Sequence, residues 1–277
     1  SITDQKIMLR KLYYWLSPEW RFKVRKLWYL PGDIISNRSS LIPPKGLIYT
    51  GGGDFLDQGR LWKDFFKDYG LSEKNTFLDV GSGIGRIAVG LTGFLKGRYE
   101  GFEAIEKGVQ WCEANITKKN PNFKFRYVPL YNDLYNSTGI DASQYGFEYE
   151  DETFDFGCAI SVFTHMIDIE VENYLHEVAR VLKPGGRFVA TFFILDEESE
   201  RLMSHKKSSF RFDFDKGNYR LMDDKVRSAN VAFELQYLKS VLQQCGLSIV
   251  AKLDGSWSGR DQSHPLAFQD ILVLEKK

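Results

Sequence analysis

The stretch Leu78-Asp79-Val80-Gly81-Ser82-Gly83-Ile84-Gly85-Arg86-Ile87-Ala88 decides how this chain is read. An apolar approach, three glycines at every second position and then apolar residues at helical spacing predict a strand, a tight turn and a helix. Glycine tolerates positive φ and lacks the Cβ that would hold a ligand away from the backbone. The first turn of the following helix presents N–H groups with no partner inside the helix, so the turn suits an anionic or carboxylate-bearing ligand.

Outward from this unit, residues 77–193 alternate short β-branched or aromatic runs with helical stretches, the pattern of a parallel sheet with crossover helices. The fold class is therefore α/β. Strands are expected at 76–80, 98–103, 123–128, 154–160, 187–193, 247–253 and 269–274, and helices at 86–95, 107–119, 169–182 and 232–245. The second of these helices stops before Asn120-Pro121, where proline disfavours helix at the preceding residue. Residues 131–150 read as an irregular excursion. Residues 196–230 form a long polar insertion with little periodic signal, and segments of that kind are more often functional than filler.

The strand after the glycine turn ends in Gly101-Phe102-Glu103, with the acid twenty residues past Gly83. A carboxylate there is placed to accept hydrogen bonds from both hydroxyls of a ribose. A nicotinamide dinucleotide would use the same features, but two details disfavour it. The glycines run G-x-G-x-G, with Arg86 where close packing against a pyrophosphate wants Gly or Ala. Asp79 would repel a pyrophosphate, whereas it can meet the ammonium of an amino-acid ligand.

Together with Glu152-Thr-Phe-Asp-Phe156 and Arg180-Val-Leu-Lys-Pro-Gly-Gly-Arg-Phe188, these motifs resemble those of class I S-adenosylmethionine-dependent methyltransferases, over roughly residues 54–277. The resemblance implies a Rossmann-like, seven-stranded, mostly parallel sheet with an antiparallel last strand and helices on both faces. It implies S-adenosylmethionine as cofactor. By carry-over, Asp79, Gly81, Ser82, Gly83, Gly85 and Arg86 line its methionine part, Glu103 its ribose, and Ala104 and Ile105 its adenine. Many family members place an acid after the third strand to hold the adenine amino group; here the run is Val128-Pro-Leu-Tyr-Asn132, and Asn132 is either a substitute donor or a turn former.

Methyl transfer to a hydroxyl needs alignment and removal of a proton. In open α/β sheets the ligand lies beyond the carboxyl ends of the strands, where Ser161-Val-Phe-Thr-His-Met166 follows the fourth strand. Ser161 is expected to border the cofactor, and His165 is the candidate base, against the alternative of a histidine that only packs. His205, Asp213, Asp215, Tyr219 and Arg220 lie in the insertion, where the family often builds a lid; a charged run such as 211–216 otherwise reads as a solvated hairpin. A second glycine cluster, Tyr49-Thr-Gly-Gly-Gly-Asp-Phe55, is expected to fold over the cofactor entrance.

The chain has 277 residues, 43% hydrophobic and 27% charged, enough to bury a sizeable core. Two regions are expected: 1–53 as a basic, aromatic, helical extension or cap, and 54–277 as the catalytic domain, with the insertion covering the acceptor site. No apolar run suits a membrane span and no secretory leader is visible, so a cytoplasmic location is the default. Cys112, Cys158 and Cys245 are scattered, without metal-ligand spacing. Basic and acidic residues balance at 37 each, and no basic stripe extends beyond the N-terminus, so a nucleic-acid substrate is disfavoured. Residues 1–30 nonetheless carry seven Lys and Arg, interleaved with Tyr13, Tyr14, Trp15, Trp20, Phe22, Trp28 and Tyr29. That segment reads first as a cap or packing element, with a dimer contact or a peripheral contact to anionic lipid as alternatives. The functional expectation is methyl transfer to a hydroxyl of a small-molecule or glycan acceptor; the alternative is a module that binds adenosylmethionine or a nucleotide without turnover.

Overall fold

Strand β1, Phe77–Val80, is buried along its whole length and lies at the centre of the sheet in the computed structural model, which describes residues 18–35, 39–49, 51–131 and 138–277. Parallel to it run β2 (Tyr99–Glu103) on one side and β4 (Phe154–Ala159) on the other. Outside these lie β3 (Phe123–Tyr127) and β5 (Leu182–Leu195), also parallel. The last strand, β10 (Asp270–Lys276), inserts antiparallel between β5 and β9 (Leu247–Leu253). These seven strands are the expected sheet, with the last one reversed.

Successive residues of β1 point to opposite faces, so Phe77 and Leu78 head two separate cores. On the Phe77 face pack α2 (Phe55–Asp68), α3 (Arg86–Leu91) and α4 (Glu106–Cys112), through Trp62, Phe66, Leu91 and Val109. On the Leu78 face pack α5 (Asp168–Val181) and α7 (Leu235–Gln244), through Val171, Leu175, Leu238 and Leu242. Residues 138–150 contain only a short 3-10 turn, Ala142–Gln144, and Tyr145 and Phe147 fill the space beside it against Phe102 and Tyr174.

Three strands were not expected. The last three residues of β5 leave β10 and pair instead with β8 (Val231–Glu234), which pairs with β7 (Tyr219–Leu221) and through it with β6 (Phe214–Asp215). The fork is fixed by Asp270. Its buried carboxylate accepts N–H bonds from Ile194 at 2.7 Å, Gly255 at 2.7 Å and the Trp257 indole at 2.7 Å. Ile194 therefore bonds a side chain where the ladder to β10 would have continued. Residues 231–234, expected as the start of a helix, are a strand because β5 and β7 both supply ladder partners and the pairing buries Val231, Ala232 and Phe233. The insertion also carries α6 (Glu197–Ser204).

Ahead of β1, Asp54 caps α2 by accepting from Leu56 and Asp57 N–H, so the glycine cluster runs directly into a helix start. Leu41, Leu47, Ile48 and Tyr49 pack on the Phe77-face core, and α1 (Pro18–Ile35) rests on the turn Lys45–Leu47. No helix among the described residues is long and apolar enough to cross a membrane.

Helices α2 and α3 cross at Gly59 and Gly90, where a Cβ on Gly90 would stand 2.1 Å from the Gly59 carbonyl oxygen. Backbone cannot yield as a side-chain tip does. Gly90→Ala is expected to lower stability by about 1–3 kcal/mol in urea denaturation, and an unchanged midpoint would show that the crossing has slack.

Candidate active site

The carboxyl ends of β1, β2 and β4 and the β5 fork surround one cleft with two lobes. Gly81 and Gly85, at φ +70° and +79°, turn the chain from β1 into α3. A Cβ on Gly81 would lie 2.6 Å from Val162 Cγ2, and one on Gly85 would lie 2.7 Å from Ile116 and 2.8 Å from Cys112 Sγ. Gly85, expected to line a cofactor, borders neither lobe; its role is to start α3 and to let α4 approach.

Glu103 is brought to the turn by the register of β2 beside β1. Its Oε2 accepts the Gly83 N–H at 2.7 Å and its Oε1 accepts the Ile105 N–H at 3.0 Å. A carboxylate has about four acceptor positions, and the Ala104 N–H also bonds this one, so one position remains for a ligand. Burial pushes its pKa up to about 7, offset in part by these N–H bonds and reinforced by the charge of Asp79. Asp79 is itself held near 6 by burial, with the Tyr99 hydroxyl and the Cys158 thiol donating to it. Among the described residues, no cationic side chain forms an ion pair with either acid.

The first lobe runs under the end of β2. Glu103, Ala104 and Ile105 form one wall, and Phe102, Leu130, Ala142, Met166 and Tyr174 supply an apolar floor. The second lobe opens over the glycine turn toward β5 and the insertion, with Asp79, Ser82, Arg86, Thr191, Phe210, Asn230 and Gln269 around it. Gly81, Gly83, Ser161, His165 and Tyr49 border both lobes. Arg86 points across the turn: its Nη1 donates to Gly52 O at 2.8 Å and its guanidinium covers the Phe55 ring. The second glycine cluster is thereby strapped over the turn. Asn132 lies outside the described residues.

Ser161 adopts φ +58°, a left-handed conformation that costs a non-glycine residue about 1–3 kcal/mol. Its N–H donates to Thr191 Oγ1 at 2.7 Å and its Oγ to Gln269 Oε1 at 3.1 Å, so β5 and the segment before β10 hold the strained turn. The turn delivers His165 to the junction of the lobes. His165 Nδ1 lies 2.7 Å from the Ser228 carbonyl oxygen. A carbonyl only accepts, so Nδ1 carries the proton and the neutral ring has its lone pair at Nε2. Ser228 belongs to the 3-10 turn Arg227–Ala229 at the end of the insertion, tied to α5 by the Arg227–Glu170 ion pair at 3.2 Å.

The insertion thus reaches the cleft through Phe210, Ser228 and Asn230. The residues singled out in it from sequence do not border either lobe: His205 bonds Arg201 O, Asp213 pairs with Arg211, Asp215 caps a turn at Gly217, and Arg220 bridges Glu200 and Glu234, beside Tyr219 in β7. Thr191, Asn230 and Gln269 carry no motif and come to the cleft only through the pairing of β5 with β8 and β10.

Residues 78–190 match the model of a methyltransferase domain. Among solved structures, a Pyrococcus horikoshii protein aligns at 16% identity and TM-score 0.55, covering 83% of this chain and 95% of its own. An S-adenosylmethionine-dependent methyltransferase from Methanosarcina mazei aligns at 19% identity and TM-score 0.53, over 76% and 96%. Another from Clostridium acetobutylicum aligns at 15% identity and TM-score 0.52, over 81% and 92%. At these identities the likeness is one of fold.

The two cleft acids have folded-state pKa values of about 6 and 7, above the ordinary 3.8 and 4.5. The folded protein therefore holds protons that the unfolded chain releases, and this contribution to stability is present below about pH 4 and lost as pH rises through 6 to 7. Asp79→Asn is expected to flatten that decline in ligand-free protein, read by urea denaturation across pH 4 to 8. An unchanged slope would mean that Asp79 is ionised throughout.

Proposed function

We propose that this chain, a class I S-adenosylmethionine-dependent methyltransferase by the domain matched at residues 78–190 and the fold around it, methylates a hydroxyl oxygen of a small-molecule or sugar acceptor. The observation that carries the proposal is His165, with its basic nitrogen fixed as Nε2 at the junction of the two lobes.

The residues present fit the cofactor. Two buried acids with no ion-pair partner among the described residues suit a ligand with a sulfonium and an ammonium, and the buried Ser82 hydroxyl has no partner among the described residues. Glu103 would hold the ribose, Ala104 and Ile105 the adenine, Asp79 the ammonium, and Ser82 and Arg86 the rest of the methionine end. When bound, the cofactor supplies an electrophilic methyl group on sulfur. Tyr49 and the Arg86-held strap border the cleft beside the glycine turn, and Ser161 borders both lobes.

In the second lobe the Phe210 and Phe268 rings lie among Asn230, Thr191 and Gln269, a mixture of apolar faces and polar groups that suits a hydroxylated ring. Nε2 of His165 takes the proton from the acceptor hydroxyl. The Ser228 carbonyl steadies the resulting imidazolium through Nδ1–H, and the Arg227–Glu170 pair keeps that carbonyl in place. His165→Ala is expected to leave cofactor affinity near wild type and to lower kcat by about 10²–10⁴-fold on an acceptor found by screening. Retained kcat with lost affinity would assign His165 to packing behind the cofactor.

A further inference from the structure

Helix α1 is held to the domain by one edge. Asp33 accepts the Lys45 and Gly46 N–H groups at 2.8 and 3.0 Å, and a Cβ on Gly46 would lie 3.1 Å from Lys26 Cα, so the edge with Lys26 and Asp33 faces the turn Lys45–Leu47. At about 100° per residue, Trp20, Val24, Leu27 and Trp28 fall together on the opposite side. They are 57%, 43%, 69% and 80% exposed. Lys23 borders this apolar stripe, with its ammonium 4.8 Å from the Trp20 ring centroid, while the half-buried Arg25 lies beyond the other edge with its guanidinium over the Tyr29 ring. The helix carries Arg21, Lys23, Arg25 and Lys26 against Glu19 and Asp33, and Asp33 is turned inward.

The geometry points to α1 as a docking surface for an anionic phospholipid bilayer. An exposed stripe of tryptophan and leucine bordered by lysine, on a helix with more basic than acidic residues, is the pattern of a helix lying in the plane of a membrane interface, where indole rings sit at headgroup level and basic side chains meet lipid phosphates. Two copies of this net-basic helix would bring like charges together, whereas anionic lipid complements them, which favours lipid over a second copy of the chain. The helix rests on the turn Lys45–Leu47, just before Tyr49, which borders both lobes of the cleft.

The test is co-sedimentation with vesicles of phosphatidylcholine alone and of phosphatidylcholine with a third phosphatidylglycerol, with light scattering of the protein alone. The wild type is expected to partition at least about tenfold more strongly onto the anionic vesicles, and less as salt is raised. Lys23→Ala lowers that partition about fivefold. Leu27→Glu with Trp28→Glu abolishes it while thermal unfolding and cofactor calorimetry stay at wild-type values, as expected for exposed positions outside the cleft. Absence of binding to anionic vesicles overturns the proposal, as does equal binding by the double variant. A wild-type dimer that the double variant splits overturns it too, since the stripe would then be an interface between copies.

Discussion

Two backbone N–H groups, those of Gly83 and Ile105, pin a buried carboxylate between the glycine turn and the end of β2. Glu103 so held fixes the separation of β1 and β2 at the point where both strands stop, and it does so with a group whose charged form burial disfavours. The carboxylate keeps an acceptor position beyond the N–H groups that hold it, and Asp79 adds a second acid whose donors are a tyrosine and a thiol. A hydroxyl at Glu103 and a cation at Asp79 would stabilise both ionised forms at once, so ligand affinity and the titration of the cleft are linked.

The other end of the cleft depends on the fork in β5. Asp270 takes the Ile194 N–H where the ladder to β10 ends, the last residues of β5 pair with β8, and the insertion between them returns to the sheet beside the turn that follows β4. That return carries Ser228 to His165 and Asn230 to the second lobe of the cleft. A buried acid bonded only to N–H groups thus sits where the insertion leaves the sheet.

The glycine turn, Glu103 and the seven strands are legible in the sequence because each rests on local chemistry: positive φ, a strand-end acid at a fixed spacing, and periods of two or 3.6 residues; the reversed last strand is implied only by the resemblance to class I methyltransferases. The strands at 214–215, 219–221 and 231–234 are not, since runs of two to four residues carry too little periodicity and are set by partners far away in sequence. Val231 to Glu234 even continues the apolar spacing of α7, and the ladders to β5 and β7 separate the two. Gly85 is a motif position at which a Cβ would meet Cys112 and Ile116, a requirement for glycine that comes from packing. The bond from His165 to Ser228 spans 63 residues and ends on a backbone carbonyl, which no residue pattern can announce.

The most direct test of this account is calorimetric titration of the wild type and of Glu103→Ala with S-adenosylmethionine and with NAD. The wild type is expected to bind S-adenosylmethionine and not NAD, and Glu103→Ala to bind it at least about tenfold more weakly while remaining folded, since hydrogen bonds to a charged acceptor contribute about 1.5–3 kcal/mol each. Preferential binding of NAD, or an unchanged dissociation constant in Glu103→Ala, would contradict it.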